Sequence, residues 1–131
     1  MRRAAAGLAA LVVLLAACAI TVEDPATQAA PVYSGGYASL MAGDILRVSV
    51  AMGGAATPDQ LRTYADCAAV DEALFRGFAF ARHVSTTLTE EAGLRQANAF
   101  YSLSTTLPRG IAPLDAATQA ETCRELGIPR V

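Results

Sequence analysis

The sequence has 131 residues, of which 53% are hydrophobic and 17% charged. This length fits one small domain and excludes a multidomain enzyme, and the apolar content is too high for a chain that is disordered throughout. Ten arginines, no lysine and twelve acidic residues give a net charge of -2. Because there is no basic surplus to attract phosphates, we expect no nucleic-acid partner.

Residues 1–17 have the pattern of a secretory signal peptide. Arg2 and Arg3 form a short positive region, and residues 4–17 are apolar and uncharged. A helix needs about 20 residues to cross the hydrocarbon of a bilayer, so this run is too short for a lasting transmembrane anchor. We therefore predict that residues 1–17 are removed on export.

The end of this apolar run carries the most specific motif in the chain. Residues 15–18, Leu-Ala-Ala-Cys, resemble the lipobox at which bacterial lipoproteins are cleaved. The resemblance implies that Cys18 receives a diacylglyceryl thioether, that cleavage falls before it, and that its new amino group is acylated by a fatty acid such as palmitate. One acyl chain anchors a protein only weakly, so several chains make such an anchor stable.

The motif leaves open how the signal peptide is cleaved and which membrane holds the anchor. An ordinary signal peptide cleaved after Ala19 also fits, because residues 17–19 match an A-x-A site. If the lipobox is used, Ala19 differs from the Asp that is typical of inner-membrane retention signals, which favours the outer membrane. The expected location is then the cell envelope, with the domain facing the periplasm and with the membrane and other envelope proteins as partners.

The other two cysteines, Cys67 and Cys123, are expected to pair. Lipidation consumes the thiol of Cys18 and leaves an even number of cysteines in an exported chain. In an oxidising envelope, a disulfide that closes so long a loop is worth about 4 kcal/mol on the chain-entropy estimate. The alternative is two buried free cysteines that behave as small hydrophobic side chains.

The mature chain divides into a tether and a folded domain. Residues 19–31 have two prolines, no aromatic residue and no hydrophobic period, which is typical of a linker. Residues 32–43 contain a Gly-Gly pair that suggests a turn, and their pattern leaves open an irregular lead-in or a short edge strand. We assign residues 18–43 to the lipidated tether and lead-in, and residues 44–131 to one small domain.

A strand and a helix are predicted in the first half of the domain. From Asp44 onwards apolar residues alternate with polar or small ones, which indicates a strand with one apolar face. Thr57 then has the features of a helix N-cap, with Pro58 at the first helical position and Gln60 completing a capping box. The helix is expected to end at Gly77. The expected core positions of the strand are Leu46, Val48, Val50 and Met52.

Two more strands and a second helix follow. Aromatic and β-branched residues from Phe78 to Leu88 predict a strand, and the polar segment 90–93 predicts a hairpin turn into a third strand. Asp115 is placed to cap a last helix in which Cys123 faces inward. The expected core positions of the two strands are Phe78, Phe80, Val84, Leu88, Ala97, Ala99, Tyr101 and Leu103.

The order β-α-β-β-α predicts an α+β fold of two layers, a small antiparallel sheet of about three strands with both helices on one face. If the third strand lies between the other two, every pairing is antiparallel. A disulfide between Cys67 and Cys123 would then join two helices that are neighbours on that face.

His83 is the only histidine and the one candidate for acid–base chemistry. With Arg82, Asp66, Asp71 and Glu72 it suggests a general base beside carboxylates. Its expected place, however, is a solvated strand face shared with Ser85 and Thr87. The sequence has no nucleophile elbow, phosphate-binding loop or HExxH motif, and one His with two separated Cys does not make a zinc site. We therefore expect no catalytic residue, cofactor or metal.

These patterns predict a non-enzymatic, lipid-anchored structural or interaction module, similar to the small envelope lipoproteins of Gram-negative bacteria. The rival hypothesis is a module that binds a small ligand or a peptidoglycan fragment, for which Tyr33 and Tyr37 are the candidate aromatic surface. A hydrolase that uses His83 is a third interpretation. A concave pocket lined by polar groups would favour ligand binding, and a flat sheet face would favour the interaction module.

Overall fold

The computed structural model describes residues 30–131. The signal peptide and the lipobox with Cys18 lie outside these residues. The elements in chain order are β1 (Val32–Met41), β2 (Ile45–Gly53), α1 (Pro58–Phe75), β3 (Phe80–Glu91), β4 (Leu94–Ser104), β5 (Leu114–Asp115) and α2 (Ala116–Glu125). In the described part of the chain, no helix is long and apolar enough to span a membrane.

The five strands form one antiparallel sheet in the order β1-β2-β4-β3-β5, which curls into a half-barrel. The expected fold, a three-stranded sheet with both helices on one face, is therefore wrong. β1 occupies the segment for which the sequence allowed either an irregular lead-in or an edge strand. β5 has only two residues, which is too few to show a hydrophobic period. These additions make the sheet the larger part of the domain.

β1 is a ten-residue edge strand in spite of its weak pattern. Its register with β2 shifts between Tyr33 and Gly36, and Gly35 in this interval has a φ of 86°. A Cβ atom on Gly36 would lie 2.1 Å from the backbone oxygen of Ser49, so only glycine permits this approach of the two strands. The Gly-Gly pair therefore forms a bulge within a strand and not the turn that it suggests in the sequence.

The core lies between α1 and the central strands. All eight predicted core positions of β2 and β4 are buried, which confirms the alternation seen in the sequence. The capping box of α1 is also confirmed: the Thr57 hydroxyl accepts from the Gln60 N–H, and the Gln60 side chain accepts from the Thr57 N–H. This cap sets the start of α1 and with it the helix face that packs on the sheet.

β3 departs from its predicted pattern. Its register with β4 shifts directly after His83. Ala81 and His83 lie on the side of the sheet that α1 covers, and after the shift the even-numbered Thr86 takes this side. Because a bulge inverts the alternation of a strand, the predicted even-numbered pattern holds only after the shift. Phe80, which precedes the shift and alternates with buried Ala81, and Val84 at the shift are not part of the core cluster, contrary to prediction, whereas Phe78 and Leu88 pack against it.

α2 packs on α1 and β5 and not across the sheet. Asp115 caps it by accepting a 3.0 Å hydrogen bond from the Thr118 N–H, as predicted. The predicted disulfide is present and joins Cys67 of α1 to Cys123 of α2 with a Cα–Cα distance of 5.8 Å. The helices are therefore neighbours, but α2 lies against α1 and does not share its layer on the sheet.

Candidate functional site

A cavity of about 270 Å³ opens between α1, the bulge of β3 and the loop that precedes β5. It brings together a guanidinium, a carboxylate, an imidazole and a hydroxyl, next to two apolar side chains. The lining residues are Arg62, Asp66, His83, Thr86, Ala112 and Leu114.

α1 contributes the two charged residues of this cavity. Arg62 and Asp66 are four residues apart, and side chains at this spacing lie on the same helix face. Their face adjoins the buried stripe of α1, which includes Tyr64 and Ala65. Arg62 is exposed and Asp66 is half-buried, so the positive charge lies at the rim of the cavity and the negative charge lies deeper.

The bulge of β3 determines where His83 and Thr86 lie. The His83 Nε2 and Thr86 Oγ1 atoms are 2.6 Å apart, a hydrogen bond whose direction depends on the tautomer. The His83 ring also meets the Tyr101 ring edge to face, with centroids 5.6 Å apart. His83 therefore lies on the side of α1 with Thr86. The prediction that it shares a strand face with Ser85 and Thr87 is wrong.

Tyr101 supports the cavity from β4. Its hydroxyl donates to Asp66 Oδ1 at 2.6 Å. Burial raises the pKa of the Asp66 carboxyl, although the Tyr101 hydrogen bond and the nearby His83 act in the opposite direction. Burial and the adjacent Asp66 charge raise the pKa of Tyr101 far above its ordinary value, so its hydroxyl stays protonated and remains a donor.

Asp66 has no cationic partner within 4 Å among residues 30–131. Arg62 lies one helical turn away, but its Nη1 atom contacts Asp59 Oδ1 at 3.0 Å instead. The cavity thus contains two opposite charges that do not form an ion pair with each other.

The hydroxyl of Thr86 beside the imidazole of His83 has the elements of a nucleophile and a base. A catalytic triad also needs a third group that orients the imidazole. Asp66 is the nearby carboxylate, yet its hydrogen bond goes to Tyr101, and none joins it to His83 in the described structure. The geometry therefore suits binding of a small polar molecule better than covalent catalysis.

The cavity was only partly foreseeable from the sequence. The sequence predicts Tyr101 as a core position of its strand, and nothing in the pattern links its hydroxyl to Asp66 of the helix. The available signal was that a buried tyrosine needs a hydrogen-bond partner for its hydroxyl. No group of three or more His, Cys, Asp or Glu side chains that could hold a metal occurs in the part of the chain that is described.

The candidate aromatic surface of β1 is not formed. Tyr33 packs edge to face on Tyr64 of α1, with ring centroids 4.9 Å apart. Tyr37 pairs with Ser49 and is half exposed, with the Arg47 guanidinium 5.9 Å from its ring centroid. Because the two tyrosines lie on opposite faces of the sheet, they do not act as one surface.

A protein-family model matches most of this chain. Residues 33–127 match the family model of the YNQ4 C-terminal domain, an uncharacterised domain family. No curated protein and no solved structure matches this chain. The matched segment extends from β1 into the residues after α2, so it includes the disulfide and every residue of the cavity.

Proposed function

This chain belongs to the YNQ4 C-terminal domain family, and we propose that it is a lipid-anchored, non-enzymatic module of the bacterial cell envelope that docks on another envelope protein. Acyl chains on Cys18 hold it at the outer membrane, with the domain in the periplasm. One apolar end of the domain forms the docking surface.

The anchor rests on the resemblance of residues 15–18 to a lipobox. It is also supported by the disulfide between Cys67 and Cys123, because stable disulfides are typical of oxidising compartments such as the envelope. With both of these thiols consumed, Cys18 is the remaining cysteine of the chain. A single free thiol at the end of an export signal is what lipidation requires.

Metabolic labelling with palmitate tests the anchor. Cys18→Ser should abolish incorporation and leave the precursor uncleaved, because the thioether forms on this sulfur. Cys67→Ser is the matched control, since it removes a different thiol and should leave labelling intact. Labelling of the Cys18→Ser protein at the level of the wild type would contradict the anchor.

The observation that carries the docking role is a group of exposed apolar side chains at one end of the domain, which we call the distal apolar end. Backbone hydrogen bonds from Leu103 to Asp44 and from Ala79 to Ser104 bring the β1–β2 turn and the loop after β4 to this end. α1 also finishes here. The distal apolar end consists of Met41, Leu74, Phe75 and Leu107, all exposed.

The position of this end favours a protein partner over the anchoring bilayer. The tether enters the sheet at Val32, which pairs with Gly53 at the opposite end of β2. α1, with its 18 residues, runs between these ends and is about 27 Å long. Phe75 and Leu107 are 82% and 69% exposed, and large apolar side chains left this exposed at one end of a domain are typical of a binding surface.

Site-specific photocrosslinking in intact cells tests the docking role. A photoreactive residue in place of Phe75 should form a discrete adduct with one envelope protein, and Leu107→Ser in the same chain should weaken that adduct. Leu126 is the matched control position, because it is also exposed but lies at the C-terminal end of α2, away from Phe75. Equal adducts at both positions, or none at Phe75, would contradict docking. An adduct of twice the mass of this chain would show that the docking partner is a second copy of the same protein, and not another envelope protein.

A further inference from the structure

We propose that the cavity at Asp66 binds a small zwitterion, whose ammonium group pairs with Asp66 and whose carboxylate pairs with Arg62. This inference concerns a different surface from the distal apolar end and does not depend on docking there.

The ammonium site follows from the environment of Asp66. Its carboxylate is half-buried and accepts one hydrogen bond, from Tyr101, to a single oxygen. Removing a carboxylate from water is costly unless an opposite charge compensates for it, and no cation of the described chain lies within 4 Å. A bound ammonium would supply the missing charge and donate to the second carboxylate oxygen.

The neighbouring groups also match an ammonium. An ammonium has three N–H donors and no acceptor. In addition to Asp66, the Thr86 hydroxyl and the neutral form of the His83 ring carry acceptor lone pairs within the same cavity. A ligand amine can therefore find more than one acceptor at this end of the cavity.

Arg62 provides the complementary end. A guanidinium has five donors in a planar fork that matches a carboxylate, and the contact with Asp59 occupies Nη1. Arg62 and Asp59 are both largely exposed, so this ion pair is weak and exchanges readily for another anion. Ala112 and Leu114 form an apolar wall that suits the carbon chain of the ligand.

The dimensions limit the ligand. Side chains four residues apart on a helix have Cβ atoms about 6 Å apart, so the two charged groups of the ligand are separated by a few bonds. The cavity of about 270 Å³ is smaller than the roughly 300–1,000 Å³ typical of drug-sized sites. A short amino acid fits both limits.

The test is an NMR titration of ¹⁵N-labelled protein, residues 18–131, with three probes of equal chain length: γ-aminobutyrate, butylamine and butyrate. γ-Aminobutyrate should shift the backbone amides around Asp66, His83 and Thr86 in a saturable manner. Butylamine should bind more weakly because it cannot engage Arg62, and butyrate should bind most weakly. Equal shifts with all three probes, or no shifts at tens of millimolar, would overturn the assignment.

Substitutions identify the two charges. Asp66→Asn retains an oxygen that accepts from Tyr101, so it should fold while losing at least tenfold in affinity for γ-aminobutyrate. Arg62→Gln should reduce the affinity for γ-aminobutyrate to that for butylamine. The matched control is Asp71→Asn on the same helix, because Asp71 contacts Arg130 at 3.6 Å and does not line the cavity. Wild-type affinity in a folded Asp66→Asn protein would refute the proposal.

Discussion

Tyr101 donates a 2.6 Å hydrogen bond to Asp66 and thereby links the central strand β4 to α1. The Tyr101 ring is buried in the core, whereas Asp66 lines the cavity. In the described part of the chain, no buried side-chain nitrogen or oxygen lacks a hydrogen-bond partner. The bond therefore satisfies a core hydroxyl and at the same time orients the carboxylate of the candidate site.

Replacement of Asp66 should separate these two roles. Asp66→Ala leaves the buried Tyr101 hydroxyl without its acceptor, so we expect a loss of about 1–3 kcal/mol in the free energy of unfolding. Asp66→Asn keeps an acceptor and removes a half-buried charge, so its stability at pH 7 should equal or exceed that of the wild type. Urea unfolding of the three proteins measures both effects. A similar loss for both variants would show that the charge, and not the acceptor, is what stabilises the fold.

The pH dependence of stability should reveal the raised pKa of Asp66. Because this pKa lies above its ordinary value of 3.8 in the folded protein, the folded state holds the proton more tightly than the unfolded chain does. The associated stabilisation is complete below about pH 3.8 and is lost as the pH rises through the folded pKa. The stability advantage of Asp66→Asn over the wild type should therefore grow across this window and then level off. An advantage that does not change with pH would contradict the raised pKa.

The disulfide should make a large contribution to stability. Cys67 and Cys123 are 56 positions apart, so their bond restricts the unfolded chain strongly, and we expect its removal to cost about 2–5 kcal/mol. Thermal melts of the wild type with and without reductant, and of Cys67→Ala/Cys123→Ala, measure this cost. Without reductant, the intact mass after alkylation should show no accessible thiol at either cysteine. Two alkylated cysteines would refute the pairing.

Gly36 should tolerate no side chain. Gly36→Ala would bring its Cβ atom to 2.1 Å from the Ser49 backbone oxygen, so β1 or β2 must move, at a cost of about 1–3 kcal/mol. Gly53→Ala is the matched control on the same pair of strands, because its Cβ would meet only the Ser34 hydroxyl at 4.0 Å. We expect the control to be neutral or slightly stabilising in chemical unfolding. Equal stability of the two variants would show that β1 is not held closely against β2.

His83→Gln should leave the fold and the cellular role intact if the domain is not an enzyme. His83 is exposed, and substitutions at exposed positions usually change stability by no more than about 0.5 kcal/mol. Complementation of a deletion strain, paired with a thermal melt, checks this expectation. A variant that melts like the wild type but fails to complement would contradict this expectation. Because His83 also lines the proposed zwitterion site, unchanged γ-aminobutyrate binding by that variant would then indicate catalysis, where loss of a general base costs about 10²–10⁴-fold in rate.

The elements that the sequence predicted well have strong local patterns. Buried and less buried residues alternate along β2 and β4. The Thr57 hydroxyl accepts from the free backbone N–H of Gln60, only three residues along the chain. Asp115 caps α2 in the same local way. Such features depend on contacts along the chain, and these are visible in a single sequence.

The errors arise where pairing between distant segments overrides the local pattern. The bulge after His83 gives the two halves of β3 opposite alternation: even-numbered Leu88 faces the core as predicted, but before the bulge the odd-numbered residues face α1, which places His83 beside Asp66. No residue near position 83 marks this shift, because a bulge follows from the register with β4. The local pattern likewise left β1 open between a lead-in and an edge strand and gave no sign of β5, since a strand with a weak period forms only when a neighbouring strand supplies its hydrogen bonds.

The residues of the sequence therefore specify the helix caps and the alternating core strands, because each is a short-range pattern, and the predicted export signal and lipobox rest on patterns of the same kind. The curl of the sheet, the stacking of α2 on α1 and the meeting of Arg62, Asp66, His83 and Thr86 in one cavity depend on tertiary contacts. Strand register and the approach of α1 to β4 create those contacts, and both are fixed by packing between residues far apart in the chain. The location of a cavity and of its unpaired charge emerges only when these distant segments meet.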